Sequence, residues 1–171
     1  MSEKKKACYD KAMKITFLCV GKVKEKFYRD AVAEYVKRLS RYCKTEIVEV
    51  EDEKTPDKAS PGMEEQIREK EGERLLSKLK EDAYVITLEI LGEKMDSVAF
   101  ARVLQKAAVE GKSHIMFVIG GSLGLSGAVS ARANKKISFS DMTFPHQLMR
   151  VILCEQVYRG YRIINGEPYH K

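Results

Sequence analysis

Nothing in this sequence approaches the run of about 20 apolar residues that a membrane-spanning helix needs. The N-terminus also lacks the apolar core of a secretory signal. Both absences lead us to expect a cytoplasmic protein with no membrane partner. Cysteine is sparse: Cys8, Cys19, Cys43 and Cys154 lie far apart, and no two form a C-x-x-C pair. Cys19 and Cys154 sit inside apolar runs, which predicts buried free thiols rather than disulfides or metal ligands. The three histidines, His114, His146 and His170, are scattered, so no metal site is expected. Two signatures are missing as well. The absence of G-x-x-x-x-G-K-[ST] argues against a P-loop nucleotide site, and that of G-x-G-x-x-G against an ordinary dinucleotide fold.

What is present fits one soluble domain. A chain of 171 residues, 44% hydrophobic and 33% charged, is long enough to bury a full core. The formal net charge is +6, but Lys4, Lys5, Lys6 and Lys11 against Glu3 and Asp10 put +2 of it in the first twelve residues. Charge alone therefore says little about nucleic acid. Residues 1–12 show no apolar period and read as a disordered leader, with a single domain over 13–171.

Along the chain, short apolar runs alternate with helical patterns. Strands are expected at 15–20 (I-T-F-L-C-V), 45–50, 84–89, 114–119 and 136–139. Between them, residues 25–43 carry Phe27, Ala31, Tyr35 and Leu39 at helical spacing, with Tyr28, Val32 and Val36 alongside. Residues 63–81 carry Ile67, Leu75, Leu76 and Leu79, with Glu64 and Arg68 as an i,i+4 pair. Asp96 or Ser97 caps a third helix ending at Gly111, and 126–134 reads as a short fourth. Pro145 opens the last helix, apolar on most sides through Leu148, Met149, Val151, Ile152, Leu153, Val157 and Tyr158. This alternation predicts an α/β fold with a mostly parallel sheet and helices on both faces.

In open α/β sheets ligands bind beyond the carboxyl ends of strands. Three strand ends here carry permissive loops: E-I-L-G-E (89–93), G-G-S-L-G (120–124) and S-F-S-D-M-T-F (138–144). Backbone groups and apolar walls of this kind suit an uncharged nucleoside-like ligand better than a phosphate.

Three stretches, V-I-G-G-S-L-G, S-F-S-D-M-T-F-P-H-Q-L-M-R-V-I-L-C-E-Q-V-Y-R and the terminal P-Y-H-K, resemble the RlmH family of SPOUT-class methyltransferases. The resemblance runs from Met13 to Lys171 and includes K-I-T-F-L-C-V-G-K and T-L-E-I-L-G. It implies a C-terminal trefoil knot, a homodimer and S-adenosyl-L-methionine as methyl donor. The implied reaction is methylation of N3 of pseudouridine 1915 in helix 69 of 23S rRNA, on assembled ribosomes. Position by position, the cofactor pocket would be lined by Leu88, Gly92, Gly120, Gly124, Phe139, Ser140, Asp141, Met142, Thr143 and Phe144.

The imide proton at N3 must leave during such a transfer, so a base would help. His146, Tyr169 and His170 are the catalytic candidates. His146 equally suits a helix-start residue that bonds backbone. Arg150, Arg159 and Lys171 are the candidates for RNA contact, with pairing to Glu155 the alternative for the two arginines. Tyr158 reads as core, and His114 is given no role. Two rival functions remain open at this point: a non-catalytic RNA-binding module of the same fold, and a methyltransferase acting on tRNA.

Overall fold

Five strands and five helices alternate along the chain in the computed structural model, which describes residues 13–170. The leader expected over 1–12, with Cys8, and the terminal Lys171 lie outside the described residues. The strands are β1 (Lys14–Val20), β2 (Lys44–Val50), β3 (Tyr84–Lys94), β4 (His114–Ile119) and β5 (Lys135–Ser138). The helices are α1 (Lys26–Leu39), α2 (Pro61–Lys78), α3 (Ser97–Val109), α4 (Gly127–Arg132) and α5 (His146–Ile164). The sheet order is β2-β1-β4-β3-β5, and every neighbouring pair is parallel. All five carboxyl ends therefore emerge along one edge.

Strand side chains alternate between faces, and here both faces are covered. Ile15, Phe17 and Cys19 of β1 join Ile115, Phe117 and Ile119 of β4 in one core, beneath α1, α3 and α5. Leu18 and Val20, with Met116 and Val118, point the other way into a second core under α2 and α4. Burying a side chain such as Phe117 or Leu153, each 0% exposed, stabilises by about 1.5–3 kcal/mol before chain entropy is charged against it.

Local chemistry sets the helix starts. The side chains of Ser60, Asp96 and Ser126 accept hydrogen bonds from the amides of Met63, Ala99 and Val129 at 3.2, 2.7 and 3.3 Å. Pro145 sits just before α5 with an extended ψ of 133°, so it is the flanking residue rather than the first helical one. α1 stops at Leu39, short of the expected Cys43, and the chain turns there through amides of Tyr42 and Cys43 bonded to the Leu39 carbonyl. Phe27, expected on its apolar stripe, lies in the first turn and is 62% exposed. Arg68 pairs with Glu65 at 2.6 Å and not with Glu64. Cys19, Cys43 and Cys154 are buried free thiols.

β3 departs furthest from expectation. It runs to Lys94, and both Leu88 and Glu93 pair with Ile137 of β5. Residues 89–92 thus leave the ladder as a wide bulge above the sheet edge.

Candidate active site

A cavity of about 470 Å³ opens where β3, β4 and β5 end. Three loops make its walls: the β3 bulge from Leu88 to Leu91, the turn from Ile119 to Leu125, and the segment from Ile137 to Phe144. His146 and Met149, from the first turn of α5, close the fourth side. A volume of this size suits a small organic ligand.

The turn after β4 is held by its own backbone. The Gly124 amide donates to the Gly121 carbonyl at 3.1 Å, and Gly124 has φ +84°, a conformation costly for other residues. A Cβ on Gly120 would lie 2.8 Å from the Gly124 carbonyl carbon, so Gly120 permits the turn to close on itself. The 137–144 wall is likewise self-bonded. Ser138 donates to the Ser140 carbonyl at 3.1 Å, and the Met142 amide donates to Ser140 Oγ at 3.0 Å. Phe139 meets Phe100 of α3 edge to face at 6.0 Å, which fixes the ring against the core.

His146 lies against the end of β1: a Cβ on Gly21 would come 3.7 Å from its Cε1. Its Nδ1 is buried and has no hydrogen-bond partner. Burial first, and then the Arg150 charge, hold the imidazole below its ordinary pKa. It is therefore neutral near pH 7 and able to accept a proton.

Similarity to known proteins decides the family. A family model described as "Predicted SPOUT methyltransferase" covers residues 13–170. The chain belongs to the SPOUT methyltransferase family. It is 59% identical over 159 residues to "Ribosomal RNA large subunit methyltransferase H" of Bifidobacterium adolescentis, an overlap of 93% of this chain and 100% of that protein. The protein of the same name from Clostridium beijerinckii is 57% identical with the same coverage. A solved structure described as a probable methylase family protein from Haemophilus influenzae Rd KW20 superposes with a TM-score of 0.52 at 11% identity. It covers 94% of this chain and 71% of its own, and shows a shared fold.

Not every residue expected at the site of this SPOUT protein is there. Of the cofactor set, Leu88, Gly120, Gly124, Phe139, Ser140, Met142, Thr143 and Phe144 line the cavity, whereas Gly92 and Asp141 do not. Gly92 faces β5 instead: a Cβ there would lie 2.5 Å from the Ile137 carbonyl carbon. The Asp141 carboxylate turns outward and accepts from Lys94 at 2.5 Å.

The charged candidates on α5 separate too. Arg150 is only 1% exposed, and it donates to the carbonyls of Val20 and Gly21 at 2.9 and 2.6 Å. Glu49 lies 3.4 Å away as its ion pair. The residue thus pairs with neither Glu155 nor a surface ligand; it ties α5 to the end of β1. Arg159 does pair with Glu155, at 2.6 Å.

The C-terminal residues pack beside that pair. Tyr169 donates to Glu155 at 3.1 Å, stacks edge-on against Tyr158 and lies beneath the Arg159 guanidinium at 4.6 Å. Burial and the Glu155 charge push its phenol up to about 12. His170 is exposed, with Nδ1 3.4 Å from Arg159. At 1.5 Å rise per residue, Glu155 is about 14 Å along the helix from His146. Tyr169 and His170 are therefore not at their own chain's cavity.

Sequence reading missed several residues. Arg68 and Glu89 line the cavity, and Ile90 and Leu91, 51% and 98% exposed, project from its rim. Glu71, 4% exposed on α2, accepts from the Glu53 amide at 3.0 Å while its Oε2 has no partner. A Cβ on Gly121 would lie 2.9 Å from that oxygen. A charge on a charge-rich helix gave no sign of burial. Among the described residues no group of His, Cys, Asp or Glu can hold a metal, and no helix is long and apolar enough to cross a membrane.

Proposed function

We propose that this chain methylates N3 of a pseudouridine in helix 69 of 23S rRNA, with S-adenosyl-L-methionine as donor, on assembled ribosomes in the cytoplasm. The cavity at the ends of β3, β4 and β5, with His146 at its edge, carries this reading. Relatives named as large-subunit rRNA methyltransferases over the same length favour rRNA above tRNA or a non-catalytic role.

The lining fits the donor. Leu88, Ile137, Phe139 and Met149 offer apolar surface to a nucleoside, and the backbone of Gly120–Gly124 is bare enough for close approach. When bound, the donor supplies an electrophilic methyl group on a sulfonium. This chain's part is to place the acceptor nitrogen in line with that methyl and to exclude water. The N3 proton leaves as the nitrogen acquires the methyl. His146, neutral and at the cavity's edge, is one acceptor for that proton.

A homodimer would complete the site. Leu148, Val151 and Ile152 of α5 remain partly exposed in the single chain, an apolar surface that a two-fold partner would cover. Tyr169 and His170, too far from their own cavity, then act at the partner's, with Arg159 meeting RNA phosphate beside them. The test is to incubate ribosomes lacking the modification with this protein and isotope-labelled S-adenosyl-L-methionine, then map the label by mass spectrometry. Label at N3 of the helix 69 pseudouridine is the expected result. Label in tRNA only, or none, would overturn the assignment.

A further inference from the structure

Among the described residues, two side chains that line the cavity carry full charges, and their signs are opposite: Arg68 from α2 and Glu89 from the β3 bulge. The rest of the lining is glycine, hydroxyl, aliphatic or aromatic, apart from His146. An RNA phosphate would meet repulsion from Glu89, and a bare nucleoside would bring no charge to either side chain. A dipolar ion with one ammonium and one carboxylate answers both.

Each charge is held ready in a different way. Glu89 accepts from Thr87 Oγ1 at 2.7 Å through one oxygen and from Ser130 Oγ at 3.1 Å through the other. Thr87 is fully buried, so this anchor does not swing. A carboxylate accepts about four hydrogen bonds, and two here are used. Arg68 donates from Nε and Nη2 to a single oxygen of Glu65, at 3.0 and 2.6 Å. Its side chain is 24% exposed, and Nη1 takes no part in that pair.

We infer that Arg68 and Glu89 form a subsite for the α-amino-acid end of the ligand, Glu89 receiving the ammonium and Arg68 the carboxylate. This rests on the cofactor reading above and extends it to two residues outside the glycine and aromatic loops. The apolar wall of Leu88, Phe139 and Met149 then takes the nucleoside, and the charged wall takes the zwitterion. The cavity discriminates at the end of the ligand that does not react.

Calorimetry with two probes tests this on the full-length protein. S-adenosylhomocysteine carries the amino-acid end; 5′-methylthioadenosine has the same nucleoside and sulfur without it. Wild-type protein should bind the first more tightly. Glu89→Gln and Arg68→Met should each weaken S-adenosylhomocysteine about tenfold or more, the size of a lost charged hydrogen bond. Affinity for 5′-methylthioadenosine should stay within about threefold, so the preference collapses. Arg68→Met leaves the Thr87–Glu89–Ser130 contacts untouched and guards against a fold defect in the other variant. Equal losses for both probes, or no loss in either variant, would overturn the subsite. If the wild-type protein binds neither probe, the cofactor reading itself falls and the subsite with it.

Discussion

Replacing Gly92 with alanine puts a methyl group where the backbone of β5 already stands. The new Cβ would lie 2.5 Å from the Ile137 carbonyl carbon and 2.8 Å from its nitrogen and oxygen. None of those atoms is the far end of a flexible side chain, so the two strands must separate. β5 is four residues long and pairs with β3 alone among the strands, so it is the element that yields. Overpacking of this kind costs about 1–3 kcal/mol. For a chain of this size each kcal/mol moves the melting temperature by about 2–4 °C, so Gly92→Ala should melt about 2–12 °C below wild type. Ligand affinity should fall in parallel, because Ile137–Phe144 forms one cavity wall. Scanning calorimetry with and without S-adenosylhomocysteine reads both quantities. An unchanged melting temperature with lost affinity would mean that Gly92 faces ligand and not β5, and the packing argument would be wrong.

Three further outcomes follow from charged and titrating groups. Burial raises the Glu71 carboxyl pKa, so its folded form holds a proton more tightly than the unfolded chain does; the benefit is full below about pH 4.5 and is lost as pH rises through the folded value. Glu71→Gln should therefore melt above wild type at pH 8, with the gap closing toward pH 4.5; a pH-independent gap would refute this. The His146 pKa is lowered, so if His146 takes the N3 proton the acid limb of the methyl-transfer rate lies below pH 6.5 and disappears in His146→Ala. A limb unmoved by that substitution assigns the base elsewhere. Deleting Tyr169–Lys171 should leave dimerisation and most cofactor affinity in place while methyl transfer to ribosomes falls at least a hundredfold, about what loss of a positioned proton-transfer group costs. A truncated protein that works at the normal rate would reduce these residues to a terminus.

Much of the fold was legible because apolar runs and caps are local signals. The run 114–119 and the turn residues after it needed no partner to be read. What escaped depends on distant neighbours. Gly92 looked like a ligand glycine, since nothing in L-E-I-L-G-E announces that Ile137 passes behind it. Arg150 looked like a surface cation because the two carbonyls that hold it lie 130 and 129 positions away in sequence. Glu71 was one acid among many on α2, and only the packing of α2 beneath Gly121 makes it unusual. The residues after α5 were recognised, but their place along Glu155 and Tyr158 came from tertiary contacts alone.

The neighbour order in the sheet also dictates a timetable for the growing chain. β1 is among the first described elements to be synthesised, yet Lys14 takes His114 as its partner, one hundred positions later. Until Ile119 has been made, β1 can pair with β2 on one side only, and an apolar edge from Ile15 to Val20 stays open. Sheets closed by such distant pairing fold slowly, and unpaired edges invite association with other chains. The cavity is later still, since its last walls come from residues 137–149. No ligand site on this chain can therefore be complete until Met149 has been made.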